Sequence, residues 1–153
     1  MSDDSVPVLL ACIDAERLRI RQVLSGSDES TLAERPPNGK WSVVENVRHL
    51  LFAEQAHLGR FVPGGRSWSP FGFTPEAMRA ARKLPPVVSG PAPSVGEVFE
   101  AWETVHASMA RELVTMDTER VRTALLKNLP HLRSHVTVIE RLVLQAESMP
   151  RSS

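Results

Sequence analysis

Apolar side chains recur at spacings of three and four residues along four stretches of the chain, and this periodicity predicts four helices. The first stretch covers roughly residues 5–25, and the second runs from residue 42 to about residue 62. The third begins at residue 94, and the fourth covers about residues 119–147. No stretch alternates apolar and polar residues with a period of two, so we expect no strand.

The starts of the second and third predicted helices carry a recognisable signal. Ser42 is followed three residues later by Glu45, and Ser94 is followed by Glu97 in the same way. This spacing matches the capping box, in which the serine hydroxyl and the glutamate each satisfy a backbone N–H at the helix start. We therefore expect both helices to begin at these serines.

The connections between the helices differ in length. A few residues around Asp117 join the third and fourth helices, which predicts that these two are antiparallel neighbours. About 30 residues, 63–93, separate the second and third helices, so these two could run parallel, and Thr74 and Pro75 predict a short extra helix near residues 75–83. The fold predicted is all-α: one domain over residues 1–153, a single four-helix bundle with a long crossover between helices 2 and 3.

The amino-acid composition limits which binding partners and which cellular compartment we expect for the protein. Lys and Arg number 18, as do Asp and Glu, so the chain is neutral and gives no electrostatic basis for binding nucleic acid or an anionic membrane. The single cysteine, Cys12, excludes an internal disulfide and fits a reducing compartment. No secretory signal and no run of about 20 apolar residues is present, so we expect a cytoplasmic protein.

The histidines carry the candidate chemistry. His131 and His135 are four positions apart, which places both imidazoles on one face of the fourth helix, and His49 lies near the start of the second. Three neutral imidazoles without a fourth protein ligand are typical of an open metal site. From spacing alone, however, the alternative of hydrogen-bonded core histidines stays open, because His49 lies off the main apolar stripe of its helix.

Several of these residues together resemble a known family. Trp41-Ser42, Glu45 and His49-Leu50, followed about 80 residues later by His131 and His135, resemble the DinB/YfiT-like superfamily. The resemblance covers essentially the whole chain. It implies a four-helix bundle with a long connection between helices 2 and 3, and a divalent metal ion, zinc or nickel, held by three histidines. By this resemblance the metal ligands are His49, His131 and His135.

The chain departs from the family pattern at two places. The family often continues its last histidine with an arginine-glycine-glutamine stretch, whereas residues 136–138 here are Val-Thr-Val. Pro130 directly precedes His131, and proline inside a helix removes one backbone hydrogen bond and collides with the preceding turn. We therefore expect the fourth helix to kink or restart at Pro130, which would change the direction of the paired histidines.

The motif predicts some reactions and disfavours others. His131 is not followed by the glutamate of the H-E-x-x-H metalloproteases, which disfavours a peptidase. The resemblance implies instead a metal-dependent transferase that uses or acts on a low-molecular-weight thiol, with a small-molecule substrate and a possible homodimer. The two alternatives are a metal-assisted hydrolase and a non-catalytic bundle that binds a metal or a ligand. No catalytic residue is identified beyond the ligands.

Other residues near the motif have simpler expected roles. His57 and His106 are not needed for the motif, and we expect the first to face solvent and the second to lie at the core boundary. Glu45 either closes its capping box or supports His49 one turn later. Arg48 is expected to be a solvated surface residue, with substrate carboxylate binding as the alternative. Trp41 is expected to pack at the start of the second helix or to line a ligand pocket.

Overall fold

The computed structural model describes residues 5–63, 68–76, 78 and 93–148. The helices are α1 Val6–Leu24, α2 Glu29–Ala33, α3 Val43–Leu58, α4 Val95–Leu113 and α5 Glu119–Ser148. No strand is present in these ranges, so the prediction of an all-helical chain is confirmed. The four long helices coincide with the four periodic stretches, whereas the five-residue α2 is too short to show a period and was not predicted.

The predicted capping boxes form at the starts of α3 and α4. The backbone N–H of Glu45 donates to the Ser42 hydroxyl at 3.1 Å, and the backbone N–H of Ser42 donates to the Glu45 carboxylate at 2.9 Å. Ser94 and Glu97 repeat the arrangement at α4. Each box satisfies two backbone donors that a helix start would otherwise leave without a partner. Both helix starts are therefore fixed by short-range sequence.

The long helices pack in an order that differs from their order along the chain. α5 makes its most extensive backbone contacts with α1 and α3, and α4 makes its own with α3. The helices joined around Asp117, α4 and α5, have no comparable contact, so the prediction that these two are neighbours is wrong. A short connection fixes only that two helices are near at one end, and the buried faces of the helices then decide which pairs pack closely.

Side-chain contacts between helices define their directions. Contacts at residues 16 and 19 of α1 reach residues 133 and 140 of α5, so α1 and α5 run parallel. Contacts at residues 46 and 57 of α3 reach residues 135 and 128 of α5, so α3 and α5 are antiparallel. Residues 14 and 17 of α1 meet residues 106 and 103 of α4, so these two are antiparallel as well. It follows that α3 and α4 run in the same direction. It also follows that α4 is antiparallel to α5, so that part of the prediction for these two helices is confirmed.

One hydrophobic core joins α1, α3, α4 and α5. Each long helix contributes side chains with almost no exposed surface, among them Ile13, Leu51, Trp102, Leu132 and Ile139. These residues lie on the periodic apolar faces that predicted the helices. Within the described residues, no helix is long and apolar enough to cross a membrane.

Helix α5 continues without a break through Pro130. The expectation that the helix restarts at this proline is therefore wrong. Pro130 has no N–H to donate to the carbonyl oxygen of Leu126, one turn earlier. Both residues are exposed, and 43 % of the surface of Leu126 is accessible to solvent. Because this carbonyl lies on the solvent side of the helix, water can replace the missing N–H, and the cost of the proline is reduced.

The connection between α3 and α4 is described only in part. After α3 a 3₁₀ turn, Gly59–Phe61, ends the helical rod. Residues 75, 76 and 78 are helical, and the backbone N–H of Met78 donates to the carbonyl of Thr74 at 3.0 Å, so the predicted short helix begins where expected. The rest of that predicted helix, to residue 83, and most of the crossover lie outside the described residues.

Candidate metal centre

The three histidines of the motif lie together between α3 and α5. The Nε2 atoms of His49 and His131 are 3.1 Å apart. One ring nitrogen of each of His49, His131 and His135 lies within 4.8 Å of the others, and all three side chains are partly buried. The antiparallel packing of α3 on α5 thus brings together all three residues that the sequence selected.

The size of this cluster fits one metal ion. Zinc–nitrogen bonds of about 2.1 Å place tetrahedral ligands roughly 3.4 Å apart. The 3.1 Å between the Nε2 atoms of His49 and His131 is close to that spacing, and one nitrogen of each of the three rings lies within 4.8 Å of the others. Three imidazoles without a protein carboxylate leave at least one coordination position for a ligand from solution. The residues present could therefore hold a divalent ion in an open site.

Asn46 determines which nitrogen of His135 is available. The amide nitrogen of Asn46 donates to the carbonyl of Ser42 at 2.8 Å, so its Oδ1 must accept the bond with Nδ1 of His135, also 2.8 Å. The imidazole of His135 therefore carries its proton on Nδ1 and presents the lone pair of Nε2. This is the usual way in which an outer hydrogen bond orients a metal-binding histidine. Sequence reasoning did not identify Asn46, although it is a polar residue at core spacing, three positions after Val43 and four before Leu50.

The protonation of the cluster suits a metal site. Burial, followed by the charges of His135, His131 and His57, lowers the pKa of His49 to about 3. Burial and the neighbouring His131 lower the pKa of His135 to about 4, and the pKa of His131 is lowered by burial and by His57. All three rings are therefore neutral near pH 7. In the described residues the Nδ1 atoms of His49 and His131 are buried without a hydrogen-bond partner, unlike that of His135.

Aromatic rings flank His49. The Trp41 ring centroid lies 4.8 Å from that of His49, and the Phe52 centroid lies 6.1 Å from it. Behind these two rings stand Phe73, 5.8 Å from Trp41, and Trp68, which stacks on Phe52 at 5.4 Å. Trp41 thus packs near the start of α3, as expected, and it also forms one wall of the histidine cluster. Helical spacing puts Phe52 on the same face as His49, but its role beside the cluster was not predicted, since phenylalanine in a helix is ordinarily a core residue.

Residues 68–73, which supply two of these rings, are fastened to α3. The Nε of Arg48 donates to the carbonyl of Phe71 at 2.9 Å, and its guanidinium lies 4.7 Å from the centroid of Phe73. Gly72 lies so close to Leu51 that an added Cβ would come within 3.0 Å of its Cγ. Arg48 is 9 % exposed, so the expectation of a solvated surface residue is wrong. Its bond to a segment 23 positions away could not be inferred from helical spacing.

Glu45 does not support the histidines through its hydrogen bonds. Its carboxylate accepts bonds from the Ser42 backbone and from Nε and Nη2 of Arg35, the last two at 2.9 and 2.6 Å. Of the two roles considered for Glu45, the structure thus shows the capping box. The pairing with Arg35 also neutralises the carboxylate that lies one turn before His49.

A fourth imidazole lies beside the cluster without belonging to it. Nδ1 of His57 bonds Oδ1 of the buried Asn128 at 2.9 Å, and the His57 ring meets His131 edge-on at 5.8 Å between centroids. His57 is partly buried, so the expectation that it faces solvent is wrong. Its nitrogens are not among the ligand atoms that lie together. His57 is therefore a neighbour of the site and a suitable control in experiments on it.

A second polar cluster lies in the core between α1, α3 and α4. Nδ1 of His106 bonds the Glu54 carboxylate at 3.1 Å, and its Nε2 lies 2.9 Å from Asp14, in contact but not aligned for a hydrogen bond. Arg17 bonds Asp14 at 3.1 Å and lies 4.9 Å from the ring of Trp102. His106 is 4 % exposed, so the expectation of a boundary position is wrong. Burial lowers the pKa of His106, but the bond to Glu54 and the charges of the two acids outweigh it and raise the pKa.

Comparison with known proteins gives one match. No curated protein and no solved structure matches the chain. A family model described as the DinB superfamily matches residues 13–146, which include all three histidines of the cluster and most of the chain. The chain therefore belongs to the DinB superfamily.

Proposed function

We propose that His49, His131 and His135 bind one divalent metal ion, zinc or nickel, and that the protein is an enzyme built on this site. The observation that carries the proposal is the meeting of three imidazoles from two helices with their ring nitrogens within 4.8 Å. Their low pKa values keep the rings neutral near pH 7, as metal binding requires. Membership of the DinB superfamily is compatible with such a site.

The reaction proposed is transfer to or from a low-molecular-weight thiol. A divalent ion bound here by three neutral ligands keeps its positive charge, and such an ion deprotonates a coordinating thiol. No protein base is then needed beside the thiol, which agrees with the composition of the site. In the part of the chain that the structure describes, the three imidazoles have no carboxylate among their hydrogen-bond or ion-pair partners. His49, His131 and His135 would hold the metal, and the aromatic rings beside His49 would limit the access of water to it.

The metal content of the purified protein tests the first part of the proposal. We expect near-stoichiometric zinc or nickel by inductively coupled plasma mass spectrometry, and its loss in His49→Ala and in His131→Ala. The matched control is His57→Ala, which removes a nearby imidazole that lies outside the ligand group, and we expect it to retain the metal. A wild-type protein that stays metal-free after incubation with either ion and dialysis would refute the proposal.

Thiol addition to the cobalt-substituted protein tests the second part. We expect a low-molecular-weight thiol to change the visible spectrum of the bound cobalt, because sulfur would enter the open coordination position. The absence of a spectral change at millimolar thiol would refute the proposed thiol-transferase reaction. Turnover of small esters or amides without thiol, rising through a pKa near 7, would indicate metal-assisted hydrolysis instead. A bound metal with neither behaviour would favour a non-catalytic binding protein.

The proposal also includes the arrangement of the whole chain. We place residues 1–153 in one domain, in which the four long helices form a bundle and residues 63–93 cross over between α3 and α4. The parallel directions of these two helices support the crossover, because a connection between parallel helices must travel the length of the bundle. A homodimer and a cytoplasmic location complete the proposal. The single cysteine supports a reducing compartment.

A further inference from the structure

Two partly buried aromatic rings, Trp41 and Phe52, lie beside the histidine cluster and are here called its aromatic rim. Their centroids lie 4.8 and 6.1 Å from that of the His49 ring. Both are only partly buried, so they retain surface that a ligand can contact. Trp41 also lies 6.4 Å from His135, nearly parallel to it, so it spans two of the three ligands. A molecule bound at this place would meet carbon surface beside the metal.

The rim is held in place before any ligand binds. Phe73, which is 3 % exposed, packs behind Trp41, and Trp68 stacks behind Phe52 with an angle of 21° between the rings. Residues 68–73 that carry them are bonded to α3 through Arg48 and through the Gln55 side chain, which accepts from the backbone of Ser69 at 3.2 Å. Since the backing rings are anchored, Trp41 and Phe52 form a preorganised surface, and ligand binding need not order it.

The electrostatics of the site select the atom that a ligand presents to the metal. The ring nitrogens of the three histidines contact one another and Asn46, all neutral groups. The acid nearest along α3, Glu45, is already paired with Arg35 at 2.6 Å. A divalent ion held here would therefore keep its full charge and attract an anionic donor atom. The rim and the charge together specify a ligand with an anionic end and an apolar body.

We propose that the site takes a thiol whose carbon skeleton is aromatic or otherwise apolar, and that Trp41 and Phe52 are the residues that select it. This inference rests on the proposed function and narrows its substrate class. Thiols with polar skeletons would coordinate through the same sulfur but would lose the contact with the two rings. Trp41 and Phe52 are specificity residues in this proposal and take no part in ionising the thiol.

The affinities of the protein for two simple thiols test the inference. Phenylmethanethiol and 2-mercaptoethanol would each be titrated into the cobalt-substituted protein, with the visible spectrum of cobalt as the readout. We expect phenylmethanethiol to bind about ten-fold more tightly, which corresponds to about 1.4 kcal/mol and is the size of contact that aromatic pairs provide. Trp41→Leu and Phe52→Leu should each reduce this preference several-fold and leave the cobalt stoichiometry unchanged.

A control variant and the metal content separate the possible failures. Phe61→Leu makes the same chemical change 12 positions after His49, outside the rim, and should keep the wild-type preference. Equal affinities for the two thiols in cobalt-loaded wild-type protein would overturn the inference and leave the metal site standing. An unchanged preference in both rim variants would also overturn it. Failure of the wild-type protein to bind cobalt would instead overturn the proposed function, and the inference with it.

Discussion

His49 and Glu54 are five positions apart on α3, yet they belong to two polar clusters of opposite character. His49 joins His131 and His135 in a group of imidazoles whose pKa values are all lowered. Glu54 joins His106, whose pKa is raised. Burial disfavours the charged imidazole in both clusters, so burial cannot explain the difference.

The neighbours of each imidazole explain it. Glu54 and Asp14 contact both nitrogens of His106, and their negative charges favour the protonated ring. The rings of the three-histidine cluster face one another, and each would repel a proton on the next. The His106 cluster already contains positive charge that compensates its acids, so it needs no added cation. The three-histidine cluster is neutral and would gain from an added cation, which is the physical basis for expecting a metal ion at one cluster only.

Removal of one charge from the complete cluster should have the largest effect. We expect Glu54→Gln to lower the free energy of unfolding by about 3 kcal/mol or more, because it breaks the buried ion pair between Glu54 and His106. The matched change in the other cluster, His131→Gln, removes no charge and should cost less than about 1.5 kcal/mol in metal-free protein. Urea unfolding measures both. Equal losses would show that the two clusters do not differ in charge.

Metal addition should stabilise the protein through one cluster alone. At a free metal concentration 100 times the dissociation constant, we expect the free energy of unfolding to rise by about 2.7 kcal/mol. His131→Gln should lose this increment, whereas Glu54→Gln should keep it on a lower baseline. Thermal unfolding with and without zinc or nickel gives the comparison. A metal-induced rise in stability that depends on Glu54 rather than on His131 would place the metal in the His106 cluster and contradict the proposal.

The sequence predicted one cluster and missed the other, and the reason lies in the type of pattern. His131 and His135 form a local motif, and a single helical turn suffices to place both on one face. His49 was added to them by the family resemblance. Arg17, Glu54 and His106 are on three different helices. Each, however, occupies a position with core spacing: Arg17 between Ile13 and Ile20, and His106 between Trp102 and Met109. A charged residue on an apolar stripe was the available signal, and three such residues on three helices would have indicated a shared buried cluster.

The parts of the site that could not be predicted from the sequence depend on tertiary packing. Helical periodicity and capping predicted the starts of the four long helices to within one residue, because both act within a few positions, whereas α3 ends about four residues earlier than predicted. The rim around His49 depends on residues 68–73, whose attachment to Arg48 and Gln55 is long-range. Likewise the neighbour relation of α4 and α5 could not follow from a short connection, since α5 packs more closely on α1 and α3. Local rules thus place each histidine on its helix, and tertiary contacts bring the three together and decide what surrounds them.

Two buried asparagines allow a sharper test of which imidazoles matter. Asn46 orients His135, a proposed metal ligand, whereas Asn128 makes the same kind of bond to His57, which lies outside the proposed ligand group. We expect Asn46→Ala to weaken metal binding about 10- to 100-fold, the usual effect of losing an outer hydrogen bond to a ligand. Asn128→Ala should change it by less than about 3-fold. Competition with a coloured chelator measures both affinities. A larger loss with Asn128→Ala would mean that His57 is a ligand.

The pH dependence of stability should show both clusters at once, with opposite signs. The usual pKa of histidine is 6.5, and that of His49 falls to about 3, so below pH 6.5 the unfolded chain takes up a proton that the folded one refuses. Stability is therefore lost as pH falls from 6.5 towards 3. His106 has a raised pKa, so its contribution is complete below pH 6.5 and is lost as pH rises through the folded value.

Metal-free protein should therefore be most stable near pH 6.5. Its free energy of unfolding should fall on both sides of that pH, along an acid limb and an alkaline limb, and each histidine contributes at most about 1.4 kcal/mol per pH unit to the limb on which it titrates. Urea unfolding from pH 4.5 to 8.5 separates the limbs by variant. His49→Gln should flatten the acid limb only, and His106→Gln should flatten the alkaline limb only, so the carboxyl groups that also titrate in acid cancel in the difference. If His106→Gln flattened the acid limb instead, its ring would be neutral in the folded protein, and the contrast between the two clusters would be lost.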